Sequence, residues 1–283
     1  MTEILVDGAV YTESPRWHDG AFWYSDIGAN EVCRVGPDGG REVVVSSIPN
    51  PSGLGWTREG DLLVAALLES VVYRVGPDGV ARPFCTSAQH GLIGTNDMAS
   101  NSQRSYVTSS NYRYHKGADL EFLSRPVGAI LMLDHETGAH RIVASGYRMP
   151  NGLAISADGR SLVVSELWAK RILSFDILED GALAPEPKVL AQNDFITDGL
   201  CLDAEGGVWL GTAGEQRCQR IDAAGRLAEV VETPGWSCIA PMLGGPDGRT
   251  LFMAVSQMDS PDDIFEGRAR SRILTTRVAI PAA

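Results

Sequence analysis

The chain lacks the commonest signatures of hydrolytic chemistry. It has no G-x-S-x-G elbow, so the strand-to-helix turn that presents a nucleophilic serine is missing. Its five histidines, His18, His90, His115, His135 and His140, show neither HExxH nor any paired spacing, which excludes the helical zinc-hydrolase pattern. The five cysteines, Cys33, Cys85, Cys201, Cys218 and Cys238, are odd in number and contain no CxxC. They are expected to be reduced thiols packed in the strands of a cytoplasmic protein. Lys and Arg number 24 against 36 Asp and Glu, a net charge of −12. Neither nucleic acid nor an anionic membrane is therefore an expected partner, since both select clustered basic residues. The opening residues, Met1 to Asp7, carry no basic region and no long apolar stretch, so neither a secretory signal nor a membrane span is expected there. No linker-like composition divides the chain, and residues 1–283 are expected to be one domain.

What is present is a repeat. A small polar residue, an apolar pair, a tight turn such as Asp-Gly and a run of β-formers recur six times. The pattern is clearest at Asn151-Gly152-Leu153 with Asp158-Gly159 and Leu162-Val163-Val164, and at Asp198-Gly199-Leu200 with Val208-Trp209-Leu210. A period near forty residues built from short strands points to an all-β, six-bladed β-propeller. Other units open near Glu13, Ser52, Asn96 and Ile239, with Pro-Asp-Gly turns at 37–39, 77–79 and 246–248. The last unit runs out after its third strand, and Ile4-Leu5-Val6 is the segment expected to complete it, which would protect an otherwise open edge. An insert from Ser109 to Val127, with Tyr112, Arg113, Tyr114, His115, Lys116 and Glu121, interrupts the third unit. A loop of that length in a compact domain suggests a lid or a subunit contact. Of the histidines, only His115 is a candidate for the pocket; His135 and His140 flank a turn and are expected at the surface.

In a propeller, equivalent residues of every blade meet around one axis. Aligning the units on the residue before the inner strand gives Glu13, Ser52, Asn96, Asn151, Asp198 and Ile239. Singly, Asn and Asp before Gly are ordinary turn residues. In phase, two carboxylates and two amides at one end of a channel make an oxygen-rich cage of formal charge −2, suited to Ca²⁺, Mg²⁺ or Mn²⁺. Without a cation, Glu13 and Asp198 would repel each other.

Five stretches resemble the signatures of the SMP-30/gluconolactonase/LRE family, in the same order and across essentially the whole chain. They are Glu13-Ser14-Pro15-Arg16-Trp17, Asn96-Asp97, Pro150-Asn151-Gly152-Leu153, Asp198-Gly199-Leu200 and the run from Gly244 to Leu251. The resemblance implies a single divalent-metal site in the central channel, with Glu13, Asn151 and Asp198 as ligands and Asn96 touching metal or substrate. It also implies opening of a small-molecule lactone, a sugar lactone or a less polar one, to the hydroxy acid. Asp198 would act as general base and Asn96 would hold a substrate oxygen. Ca²⁺ is the first-choice cation, with Zn²⁺, Mn²⁺, Mg²⁺ or Fe²⁺ as alternatives. Tyr112, Arg113 and His115 are the further substrate contacts, and a monomer or homodimer is expected. The chain departs from the family pattern at Gly94, where lactonases resembling regucalcin often carry Arg; Arg113 is the candidate replacement. Two other readings keep the fold: a phosphotriester hydrolase like the diisopropylfluorophosphatase-type propellers, and a calcium-binding propeller without catalysis.

Overall fold

Tight turns set the spacing of the strands. Asp19 and Gly20 both have positive φ, 48° and 71°, the geometry of the two-residue hairpin turns that match strand twist. At the Pro-Asp-Gly turns the aspartate oxygen accepts a backbone N–H two residues on, from Gly40 (3.0 Å), Val80 (3.1 Å) and Arg249 (3.1 Å). Between such turns, runs rich in Val, Leu and Ile pair as antiparallel strands.

The computed structural model describes residues 2–112 and 124–283. They form six four-stranded sheets. Blade one is Thr12–His18, Ala21–Asp26, Glu31–Val35 and Arg41–Val45; blade two is Pro51–Trp56, Leu62–Ala66, Val71–Val75 and Ala81–Thr86. Blade three is Met98–Ser100, Arg104–Ser109, Gly128–Asp134 and His140–Tyr147; blade four is Pro150–Ile155, Ser161–Glu166, Arg171–Asp176 and Lys188–Gln192. Blade five is Leu200–Leu202, Val208–Gly211, Arg217–Ile221 and Leu227–Glu232. Blade six takes Ser237–Gly244, Thr250–Gln257 and Arg270–Arg277, and its fourth strand is Glu3–Ala9 from the start of the chain. The first strand of each blade contacts the first strands of both neighbours, and the circle closes between blades six and one. The chain is thus a six-bladed β-propeller. Among the described residues no helix is long and apolar enough to cross a membrane.

The core lies between blades. Trp23, Val32 and Val45 of blade one pack on Leu54, Leu62 and Val64 of blade two. Tyr106, Ile130 and Met132 of blade three meet Leu162, Leu173 and Phe175 of blade four. Where the ring closes, Val6, Phe252 and Ile273 pack on Phe22, Tyr24 and Val35. The closing strand pairs Ile4 with Leu274 and Val6 with Ile273, as the exhausted sixth repeat implied. Its ion pair, Asp7 with Arg272 at 2.7 Å, is solvent-exposed and contributes little.

Two expectations are corrected. Glu13, Ser52 and Asn151 lie not before the inner strands of blades one, two and four but second within them, in Thr12–His18, Pro51–Trp56 and Pro150–Ile155, whereas Asn96 and Asp198 precede Met98–Ser100 and Leu200–Leu202. His135 is buried, not at the surface: it turns inward and its Nε2 meets Ser105 Oγ at 2.8 Å.

Deleting residues 1–10 removes one strand and strips the cover from Phe252 and Ile273. Burying Val6 alone is worth about 1.5–3 kcal/mol. At about 2–4 °C per kcal/mol for a domain of this size, thermal unfolding should start about 10 °C lower or the protein should aggregate. An unchanged melting temperature would refute the closure.

Candidate functional site

Three local devices place the ring residues. The first is a register shift in the inner strand just after the ring position, seen between Glu13 and Arg16, Pro51 and Leu54, Pro150 and Leu153, and Cys238 and Ala240. Irregularities of this kind re-aim a side chain at a site. The second is the glycine that follows Ser52, Asn151 and Asp198. None of these glycines has positive φ, so they do not serve turns. A Cβ on Gly53 would lie 2.5 Å from the Asn96 carbonyl, and one on Gly152 would lie 2.6 Å from that of Asp198. Glycine lets neighbouring blades approach until Gly53 N–H donates to Asn96 (2.9 Å), Gly152 to Asp198 (3.3 Å) and Gly199 to Ile239 (3.0 Å). The third is a set of hydroxyls from the second strands. Ser25 donates to the carbonyl of Ser52 (2.5 Å), Thr108 to Asn151 (3.1 Å) and Ser165 to Asp198 (2.5 Å). Each locks a ring residue to the preceding blade.

The result is a ring at one end of the channel. Glu13 is 7%, Asn96 8%, Asn151 5% and Asp198 4% exposed, so water reaches them only through a narrow opening. Burial, then the charges of Asp198 and Asp97, hold the Glu13 carboxyl well above its usual range. Burial, then Asp97, pushes Asp198 up to about 7. The phenol of Tyr11 is raised by its own burial, then by the charges of Glu13 and Asp198. Oδ1 of Asp198 is shut off from water and has no hydrogen-bond partner. Ser52 Oγ donates to Asn96 Oδ1 (3.0 Å), which leaves the Asn96 amide N–H₂ free to donate.

A link that sequence reasoning missed runs below this ring. Asp97 Oδ1 accepts from Arg16 (2.5 Å) and from Ser14 Oγ (2.9 Å), joining blade three to blade one. Arg16 also donates to the carbonyls of Leu54 (3.2 Å) and Met98 (2.5 Å). Ser14 adopts a left-handed φ of 48°, a strained conformation for a side-chain-bearing residue, and its N–H donates to Glu13 Oε2 (3.0 Å). The one sequence signal was the pairing of Arg16 with an acid next to Asn96, and nothing in spacing alone joins them.

Of the insert residues, Tyr112 is half-buried and its carbonyl would lie 3.9 Å from a Cβ on Gly94. Arg113 and His115 fall outside the described residues. Trp168 is half-buried with its indole N–H enclosed and unpartnered. At the same end of the propeller, a cleft of about 540 Å³ opens between blades five and six. Its lining includes Gln216, Ser237, Ser256, Asp263 and Arg270 but none of the ring residues.

Comparison with known proteins bears on the family and the fold. Residues 11–257 match the family model described as SMP-30/Gluconolactonase/LRE-like region. The chain is 24% identical to regucalcin of Xenopus laevis over 276 residues, 90% of this chain and 86% of that one. It is 23% identical to a 6-deoxy-6-sulfogluconolactonase of Pseudomonas putida, over 96% of this chain and 93% of that one. Against two further curated relatives, from Sulfolobus acidocaldarius and Arabidopsis thaliana, the chain spans about half of their length or less, 52% and 40%. The crystal structure of a calcium-binding regucalcin from Agrobacterium tumefaciens superposes with a TM-score of 0.80 at 18% identity, covering 99% of this chain and 94% of that one.

Among the described residues, no three or more His, Cys, Asp and Glu side chains gather as a metal cluster. The ring instead offers two carboxylates and amide oxygens, one carboxylate oxygen being without a partner. That donor set fits one hard divalent cation, with Glu13, Asn151 and Asp198 to hold it. The sign of the pH effect follows. The Asp198 carboxyl is raised in the folded state, so in chelator its contribution to stability is full below its unfolded value near 3.8 and is lost as pH rises through about 7. Metal binding should release protons at pH 6 and strengthen as pH rises. A cation at a hundredfold its dissociation constant should add about 2.7 kcal/mol. Asp198→Asn should melt higher than wild type in chelator at pH 8 and lose the response to added cation. A wild-type melting temperature in chelator that rises as strongly as that of Asp198→Asn between pH 5 and 8 would contradict this.

Proposed function

Because the chain belongs to the SMP-30/gluconolactonase/LRE-like family, we propose that it hydrolyses the ester bond of a small-molecule lactone with a divalent cation in its channel. The observation that supports this reading is the burial of two carboxylates and two amides at equivalent positions of four blades, with Asp198 Oδ1 left unpartnered. The names of two relatives, a regucalcin and a sulfogluconolactonase, support the lactone and the cation.

When bound, the cation would polarise the lactone carbonyl and stabilise the charge that develops on its oxygen. The chain's residues supply the rest. Asn96, its Oδ1 engaged by Ser52, presents its N–H₂ to the substrate oxygen and helps to orient the carbonyl. Asp198 accepts the proton of the attacking water; a carboxyl pushed up to about 7 is suited to proton transfer near neutral pH. The proton then passes to the leaving alkoxide, which becomes the hydroxyl of the hydroxy acid. Glu13, fixed by the Ser14 N–H, and Asn151, locked through its backbone by Thr108, hold the geometry. Near-exclusion of water from the ring strengthens each of these polar interactions.

The test uses protein stripped with chelator and reloaded with Ca²⁺, Mn²⁺, Zn²⁺ or Fe²⁺. Proton release is followed on aldonolactones, aliphatic lactones and a phosphotriester. At least one metal should restore turnover of a lactone. Asp198→Ala should lose cation binding and activity together. Asn96→Ala should lower kcat about a hundredfold, the usual loss for one oxyanion donor, while cation affinity stays within about threefold. Turnover of the phosphotriester alone would identify a different electrophile. Cation binding without turnover would leave a binding propeller, and full activity in Asp198→Ala would overturn the mechanism.

A further inference from the structure

We propose that the cleft between blades five and six is a second binding site, for a neutral, hydroxyl-rich molecule such as a sugar or a polyol. None of the ring residues lines it, so the inference stands apart from the lactonase reading. Its volume of about 540 Å³ falls in the range of about 300–1,000 Å³ usual for small-molecule sites. The cleft is built from strand ends. Ser237 opens the first strand of blade six, Ser256 and Gln257 close the second, and Arg270 opens the third. Ser237 stands opposite Ser256, and Gln257 opposite Arg270. Gln216, just before the strand Arg217–Ile221 of blade five, faces them from the other side.

The turn at Gly235 fixes two amides in this cleft. Its N–H donates to Gln216 Oε1 (2.6 Å), and its carbonyl accepts from Gln257 Nε2 (2.6 Å). Each side chain is thereby oriented, and each keeps its other end unengaged among the described residues: Gln216 its N–H₂, a donor, and Gln257 its Oε1, an acceptor. Ser256 lines the same cleft, is 1% exposed, and its hydroxyl has no hydrogen-bond partner. A buried hydroxyl without a partner is unfavourable, and a bound molecule that supplies one relieves that cost.

The charges choose the class of ligand. Asp263 is already engaged by Arg268 (2.8 Å) and by the N–H groups of Asp259 (2.9 Å) and Ser260 (3.1 Å). That leaves the Arg270 guanidinium and the Asp259 carboxylate, both exposed and neither with a side-chain partner among the described residues. Their signs are opposite, so an anion drawn to Arg270 meets Asp259, and a cation drawn to Asp259 meets Arg270. The unengaged groups are thus a fork of donors, an amide donor, an amide acceptor, a carboxylate and serine hydroxyls. A hydroxyl both donates and accepts, so a chain or ring of neutral hydroxyls satisfies this mixed set. Met258, 42% exposed on the same lining, offers the apolar surface that the C–H face of such a molecule covers.

The experiment titrates chelator-treated protein with glucose, glucitol and gluconate and reads binding by ligand-observed NMR. Glucose or glucitol should bind saturably, with a dissociation constant below about 10 mM for a molecule of that size. Gluconate, which has the same hydroxyls and a negative charge, should bind more weakly. Arg270→Ala should weaken binding at least about tenfold, the usual cost of losing a hydrogen bond to a charged group, and Gln216→Ala about threefold to tenfold. Both side chains are exposed, so neither variant threatens the fold. Asp198→Asn, which alters the ring and not the cleft, should bind within about twofold of wild type. Three results would each overturn the inference: no saturable binding of either neutral probe, which leaves water as the partner of Ser256; tighter binding of gluconate; or binding lost in Asp198→Asn and kept in Arg270→Ala, which would put the probe in the ring. Lactone turnover is not read, so none of these touches the lactonase reading.

Discussion

Two carboxylates, Glu13 and Asp198, are buried at one end of the channel, and the structure around them is built to hold them there. Glu13 and Asp198 belong to blades one and five, far apart along the chain but separated by blade six alone around the ring. In such a place an unneutralised pair of like charges is unfavourable. It can be relieved by taking up a proton or by gripping a cation. The Glu13 carboxyl, raised by burial and then by the charges of Asp198 and Asp97, expresses that cost, and a divalent ion would relieve it. Holding the pair in place takes further strain and further bonds: a left-handed Ser14, carbonyls pinned by Ser25, Thr108 and Ser165, and the Arg16–Asp97 link between blades one and three.

Much of this was legible in the sequence because a propeller converts phase into proximity. The repeat located Glu13, Ser52, Asn96, Asn151 and Asp198 at equivalent positions, and the shortage of strands in the last repeat pointed to Ile4-Leu5-Val6. The glycines after the ring residues were visible too, but their purpose was not. Asn-Gly and Asp-Gly look like turns in a string of letters; here they sit on extended backbone and permit the close approach of the next blade. Links between non-adjacent blades, such as Asp97 to Arg16, have no period and left no trace in spacing. His135 was misplaced for a related reason: a turn sequence says where the chain reverses, not which way its side chains face. Arg113 and His115 stay expectations of the sequence alone.

The closing strand carries a consequence for the birth of the molecule. Asp7 finds Arg272 across 265 positions of sequence. At about 5–20 residues per second on the ribosome, the strand Glu3–Ala9 waits roughly 13–53 s for the neighbour it will pair with. During that interval blades one to five can assemble, but the circle stays open and its two unpaired edges stay adhesive. Nascent chains of this protein are therefore most vulnerable to joining one another late in synthesis, just before the ends meet.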